Sequence, residues 1–166
     1  MIGRNVSVVR RFSGFTLIEL LMTLAIMGVL VLVAVPMAQL AVQREKEHDL
    51  RQALAQIREA LDAYKRAAEQ GRITVRAGDS GYPLKLDDLV DGVPDLRSPT
   101  RKSMYFLRAM PRDPMQPTSS ASAPAETWGL RSYASPPNEP SEGVDVFDIY
   151  STSDKVGLNA VPYRRW

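Results

Sequence analysis

At 166 residues the chain has the length of one domain, or of one domain with an extension, which excludes two large catalytic domains. A composition 45% hydrophobic and 24% charged fits neither wholesale disorder nor a multi-spanning membrane protein, and the absence of cysteine removes disulfide scaffolds, thiolate zinc sites and cysteine nucleophiles together. The net charge is +2, but Arg4, Arg10 and Arg11 stand in the first fourteen residues without an acid; removing those three positives leaves the rest at −1, so nucleic acid is not an expected partner.

The first element is apolar. Phe15 to Val35 reads FTLIELLMTLAIMGVLVLVAV, with Glu19 as its single charge. About 20 apolar residues span a bilayer as a helix, so the segment is long enough. Three upstream arginines and no upstream acid predict a cytoplasmic amino terminus, with the body of the protein outside the cytoplasm. A secretory signal has a shorter apolar region ending in an A-x-A-like cleavage site; here the run continues into Pro36-Met37-Ala38, and Ala34 and Ala38 are too far apart to form that pair. The small pair that stands out is Ser13-Gly14, on the charged side of the run. A cut there removes the basic leader and leaves the apolar helix on the mature chain.

Gly14-Phe15-Thr16-Leu17-Ile18-Glu19-Leu20-Leu21, behind a basic leader and ahead of an apolar run, resembles the class III signal of type IV pilins and type II secretion pseudopilins. Pro36 falls at that family's helix-kink position. The resemblance implies that a membrane-embedded prepilin peptidase cuts between Gly14 and Phe15 and methylates the new amine of Phe15. The chemistry of Glu19 points the same way. A carboxylate in a membrane helix costs roughly 2.5–3.5 kcal/mol on insertion scales for a central acid, so such a residue usually has a partner or a function. One alternative is that Glu19 sits at headgroup level and favours the positive end of the helix dipole. The other is that it pairs with the free amine of Phe15 on a neighbouring subunit and sets axial register.

Past Pro36 the pattern becomes amphipathic. Leu50, Leu54, Ile57, Leu61, Tyr64 and Ala68 recur at steps of four and three, with Ala53, Ala60 and Ala67 beside them, and Gly71 is a candidate C-cap. Residues 15 to 70 then make a nearly continuous helix about 84 Å long at 1.5 Å per residue, bent at Pro36. A domain of this size cannot bury it all. The first half needs lipid or other copies of itself, and the stripe on the second half suits a core of the same chain. His48 has no metal-ligating companion and is expected to be a solvated helix residue.

Prolines and glycines punctuate the remainder. Leu86 to Leu89 is expected to form a helical turn, Tyr105 to Met110 a short apolar element, and Trp128 to Tyr133 and Val144 to Ser151 two strands. The expected fold is α+β and pilin-like, a long amino-terminal helix on a small antiparallel sheet with extended loops. The domain plan is a cleaved leader 1–14, an assembly helix 15–35, an amphipathic helix 36–70 and a loop-rich region 71–166.

Gly81-Tyr82-Pro83, Leu89-Val90, Met110-Pro111-Arg112-Asp113-Pro114, Trp128-Gly129 with Tyr133, and Asp148-Ile149-Tyr150-Ser151 follow one another as in the major, G-type pseudopilins, which the chain resembles over nearly its whole length. Residues 115–127 depart from that pattern as an insertion, and the final loop is altered. In that family the final loop binds calcium. The corresponding residues here are Ser151, Ser153, Asp154 and Asn159, with Lys155 among them and few carboxylates, a poor match for a cation that takes six to eight oxygens.

No hydrolase elbow, phosphate loop, dinucleotide fingerprint or zinc-helix motif is present, and Asp145 and Asp148 on a strand point to opposite faces; no catalytic residue and no enzyme activity is expected. The resemblance implies a pseudopilin of the inner membrane, its carboxy-terminal domain periplasmic. It assembles as a homo-oligomeric filament with other pseudopilins, served by the prepilin peptidase, an assembly platform and its ATPase. The alternatives are a pilin or minor pilin of a type IV pilus, and a periplasmic enzyme or binding domain on an uncleaved signal anchor.

Overall fold

The computed structural model describes residues 14–100, 102–117 and 121–166; the leader residues 1–13, including Ser13 and the three arginines, lie outside the described residues. One helix dominates. α1 runs Leu17–Glu69 with Pro36 inside it. Thr16 starts it: its Oγ1 accepts a hydrogen bond from the Glu19 backbone N–H at 3.3 Å, satisfying one of the donors a helix leaves unpaired in its first turn. Gly71 stops it. With φ at +68° it takes the left-handed conformation that glycine adopts without a Cβ penalty, while its N–H reaches Ala68 O at 2.9 Å and the Arg72 N–H reaches Ala67 O at 3.0 Å. This paired closure is a Schellman motif.

The chain divides into two compact units, Met1–Val42 and Gln43–Trp166. In the first, every residue from Gly14 to Val42 is exposed. The helix there is long and apolar enough to cross a membrane, and none of its apolar window is buried. Exposed apolar side chains continue past the expected boundary at Val35 to Met37, Leu40 and Val42.

In the second unit, α1 contributes the anticipated stripe. Leu50, Leu54, Ile57, Leu61, Tyr64 and Ala68 are all buried, as are Ala53, Ala60 and Ala67, and His48 is exposed. Against them pack Leu86, Leu89, Leu107, Trp128, Val146, Ile149 and Tyr163. Each fully buried Leu or Ile contributes roughly 1.5–3 kcal/mol by leaving water, so this stripe is the main support of the unit.

Among the described residues, four short strands, a helical turn and two 3-10 turns, Pro124–Thr127 and Tyr163–Arg165, complete it. α2 is Asp88–Asp91; β1 is Val93–Pro94 and β2 is Ser103–Met104, antiparallel. β3, Trp128–Arg131, pairs antiparallel with β4, Asp148–Ser151, with Trp128 opposite Ser151 and Arg131 opposite Asp148. The β content is therefore two two-stranded sheets where one small sheet was expected. Residues 105–107 are not an element of their own; they are tied to α2, because Leu89 O accepts from the Phe106 and Leu107 N–H groups at 3.0 and 2.9 Å. β4 begins later than the apolar pattern suggests, since Asp145 is engaged by Ser132 and Tyr133 and the Val146 N–H by Pro83 O. At Gly129 a Cβ would overlap the ring of Tyr150 on the paired strand, so glycine is required for that ring to lie across the sheet.

Candidate functional site

The amino-terminal residues stand open. Gly14 has nothing within 4 Å of where a Cβ would lie, and Phe15 is 81% exposed. Thr16 and Glu19 have the spacing of a capping box, with Thr16 serving the backbone of Glu19. The Glu19 carboxylate has no hydrogen-bond or ion-pair partner among the described residues and is exposed in the first turn of α1, surrounded in sequence by Leu17, Ile18, Leu20 and Leu21. Thr23 turns its hydroxyl inward, donating to Leu20 O at 2.9 Å, which hides a polar group on an otherwise apolar helix. Pro36 has no N–H to give the Leu32 carbonyl, so the ladder lacks one bond there.

At the other end of the sequence, the four residues considered for calcium are distributed differently. Ser151 closes β4 fully buried, and its hydroxyl donates to Asp113 Oδ2 at 2.6 Å. Ser153 is buried, its N–H donating to Ser151 Oγ at 3.2 Å and its own Oγ accepting from the Lys155 N–H at 3.4 Å. Asp154 and Asn159 are exposed, and Asn159 Oδ1 accepts from the Val161 N–H at 3.1 Å. A bridge between Val156 and Pro162, with Gly157 N–H donating to Val161 O at 2.9 Å, folds residues 156–162 into a tight return. Among the described residues there is no group of three or more His, Asp or Glu that could hold a metal ion.

Two residues of α1 receive this carboxy-terminal segment. Glu47, buried, places Oε1 at 2.8 Å from the Leu158 N, 2.9 Å from the Tyr163 hydroxyl and 3.2 Å from Gln43 Nε2, all three donating to it; Arg51 lies 3.7 Å from Oε2. Burial by itself would raise the Glu47 carboxyl; the donors from Leu158, Tyr163 and Gln43 and the charge of Arg51 outweigh it and hold the group below its ordinary value. Burial, with the neighbouring carboxylate, pushes the Tyr163 phenol up. Eleven positions on, Arg58 donates through Nε to Asp148 Oδ1 at 2.8 Å and through Nη2 to Trp166 O at 2.8 Å and Ile149 O at 3.2 Å. Arg131 on β3 reaches the other oxygen of Asp148 at 3.0 Å.

Residues 9–35 match the prokaryotic N-terminal methylation motif. That segment includes Gly14, Phe15 and Glu19 and ends one residue before Pro36. No match was found among curated proteins or solved structures. The matched segment, with the apolar start of the long helix inside it, is a type IV pilin-like prepilin signal, and the fold carrying it is α+β and pilin-like, a long amino-terminal helix with small antiparallel sheets. The motif implies processing by a prepilin peptidase, membrane anchoring and pilus-like assembly.

The contacts of Glu47, Arg58 and Asp113 are not read from the sequence, although Asp113 stands in the landmark at 110–114. Glu47 and Arg58 lie in a helix rich in charge, where Arg44, Glu45, Lys46 and Glu59 have the same local appearance. One clue existed: Glu47 sits one turn before Leu50 and two before Leu54, in line with the apolar stripe, where a carboxylate needs donors from elsewhere in the fold.

Proposed function

We propose that this chain is a pseudopilin of a type II secretion system, of the major, G-type branch. A prepilin peptidase cuts between Gly14 and Phe15 and methylates the Phe15 amine. The helix from Phe15 then holds the subunit in the inner membrane, amino terminus in the cytoplasm and carboxy-terminal unit in the periplasm. Copies leave the membrane to build a short periplasmic filament that helps move folded proteins across the outer membrane, with other pseudopilins at its side. Energy comes from the ATPase of an assembly platform, since this chain has no nucleotide motif of its own.

What carries this assignment is a methylation motif over residues 9–35 together with a run of exposed apolar side chains from Phe15 to Val42. An exposed apolar surface of that extent marks a membrane or protein contact. Lipid covers it before assembly and neighbouring copies cover it afterwards. In that packed, water-poor setting an unpaired Glu19 is costly, and the Phe15 ammonium of an adjacent copy is a partner of opposite charge at the correct end of the helix. The secretion branch in preference to a pilus is supported by the order of the landmarks from Gly81 to Ser151 and by the absence of cysteine.

Mass spectrometry of the protein from its host tests the assignment. The expected amino terminus is N-methylated Phe15; an intact Met1, or a start beyond Pro36, overturns it. Deleting the gene is expected to abolish secretion and leave twitching motility intact. The reverse outcome assigns the chain to a pilus.

A further inference from the structure

In the closing loop two donors converge on a carboxylate of α1. A calcium ion is gathered by oxygens pointing inward, six to eight of them, with several carboxylates for charge. Here the Leu158 N–H and the Tyr163 O–H instead donate to one oxygen of Glu47, and the Tyr163 hydroxyl also accepts from Gln43 Nε2 at 3.1 Å. The oxygens that sequence position offers to a cation have other roles. Ser151 Oγ lies at zero exposure on Asp113, Ser153 Oγ accepts from the Lys155 N–H, and Asn159 Oδ1 shapes its own turn. Asp154 is the one carboxylate within the loop, with the Lys155 ammonium next to it in sequence. The side chains at these positions therefore do not make the carboxylate-rich set that calcium takes.

We propose that the Glu47 carboxylate is the organising centre of the carboxy-terminal loop, so that this subunit orders its loop without calcium. The loop supplies two donors, α1 supplies Gln43 and Arg51, and all four address that carboxylate. Arg51 has a second contact in the same region: its guanidinium stands 4.4 Å from the centre of the Trp166 ring, and Trp166 in turn meets the Tyr163 ring edge-on at 5.1 Å. Arg58 Nη2 donates to Trp166 O at 2.8 Å. Residues 47, 51 and 58 lie along one side of α1, so the end of the chain is latched to the helix by charge-assisted bonds that need no ion. This holds whether the filament is a pseudopilus or a pilus.

The test uses full-length protein in detergent, with amide hydrogen exchange and thermal melting followed in calcium chloride and in chelator. For the wild type, melting temperature and exchange at Gly157 and Leu158 are expected to be the same in both. A rise of several degrees on adding calcium, of the size that a saturated site produces, overturns the proposal. Glu47→Gln keeps the shape and removes the charge; protection at Leu158 is expected to fall about tenfold or more, and calcium is expected not to restore it. Unchanged protection in Glu47→Gln, or recovery with calcium, overturns the proposal as well. Should that variant fail to fold, Tyr163→Phe removes one donor only and is expected to raise exchange at Leu158 selectively; exchange like the wild type's overturns it.

Discussion

Glu47 and Tyr163 stand 116 positions apart in the chain and meet through a 2.9 Å hydrogen bond, the carboxylate accepting from the phenol in a place closed to water. A hydrogen bond to a charged group contributes roughly 1.5–3 kcal/mol, and here its loss leaves a buried carboxylate one donor short. Tyr163→Phe is therefore expected to destabilise the carboxy-terminal unit by about 1.5–3 kcal/mol, measured by denaturant unfolding. An unchanged midpoint counts against the latch.

Acid should loosen the same contact. The folded-state value of the Glu47 carboxyl lies below its ordinary one, so its contribution is fully present above the unfolded glutamate value of about 4.3 and is lost as pH falls through the lower folded value. Asp95, held down chiefly by its hydrogen bonds to Arg72, and Asp145, where hydrogen bonds from Ser132 and the Tyr133 N–H outweigh the effect of burial, share that sign. Melting temperature is expected to be flat from about pH 7 to 5 and to drop below about pH 4. In Glu47→Gln the drop is expected to be shallower.

The helix stripe is the place where a single truncation should do most harm. Ile57 has zero exposure and lies at the centre of the buried face. Ile57→Ala is expected to cost about 2–5 kcal/mol, through lost burial and the cavity left behind. Chemical denaturation of the full chain in detergent measures it, and a loss below about 1 kcal/mol means that the site collapses freely.

Arg58 cannot be replaced by lysine without loss. Its planar head addresses Asp148, Ile149 O and Trp166 O at once, and a lysine ammonium does not reproduce that fork. Arg58→Lys is expected to release the chain end, read as faster exchange at Arg165 and Trp166, with the core amides of β3 and β4 little changed. Equal exchange in the two proteins defeats this.

Glu19→Ala separates assembly from folding. Its carboxylate has no hydrogen-bond or ion-pair partner among the described residues, so the variant is expected to fold and to be cleaved as the wild type is, yet to enter filaments poorly. Filament yield in sheared or pelleted fractions measures it; a normal yield removes Glu19 from any pairing with Phe15.

The elements that the sequence disclosed are those in which every residue carries the same message. Phe15 to Val35 is uniformly apolar, Leu50 to Ala68 repeats every three or four positions, and Gly71 ends the repeat, so the helix, its buried face and its stop were all legible. Trp128–Arg131 and Asp148–Ser151 were recognisable by β-branched and aromatic content, though their ends were set elsewhere, by Asp145 and Pro83. The division into two small sheets was not legible, because strands of two residues leave no alternation to find.

By itself, then, the sequence determined which part of the helix is apolar, which face of its later part is buried and where the methylation motif stands, since these are local and periodic properties of consecutive residues. Only the tertiary structure decided which charges matter. Glu47 resembles Glu45 in sequence and Arg58 resembles Arg66; what separates them is that residues 148 to 166 fold back onto one side of the helix and bring donors to the first and carbonyls to the second. The worth of a buried charge depends on partners that come from distant parts of the chain, and no local pattern contains them.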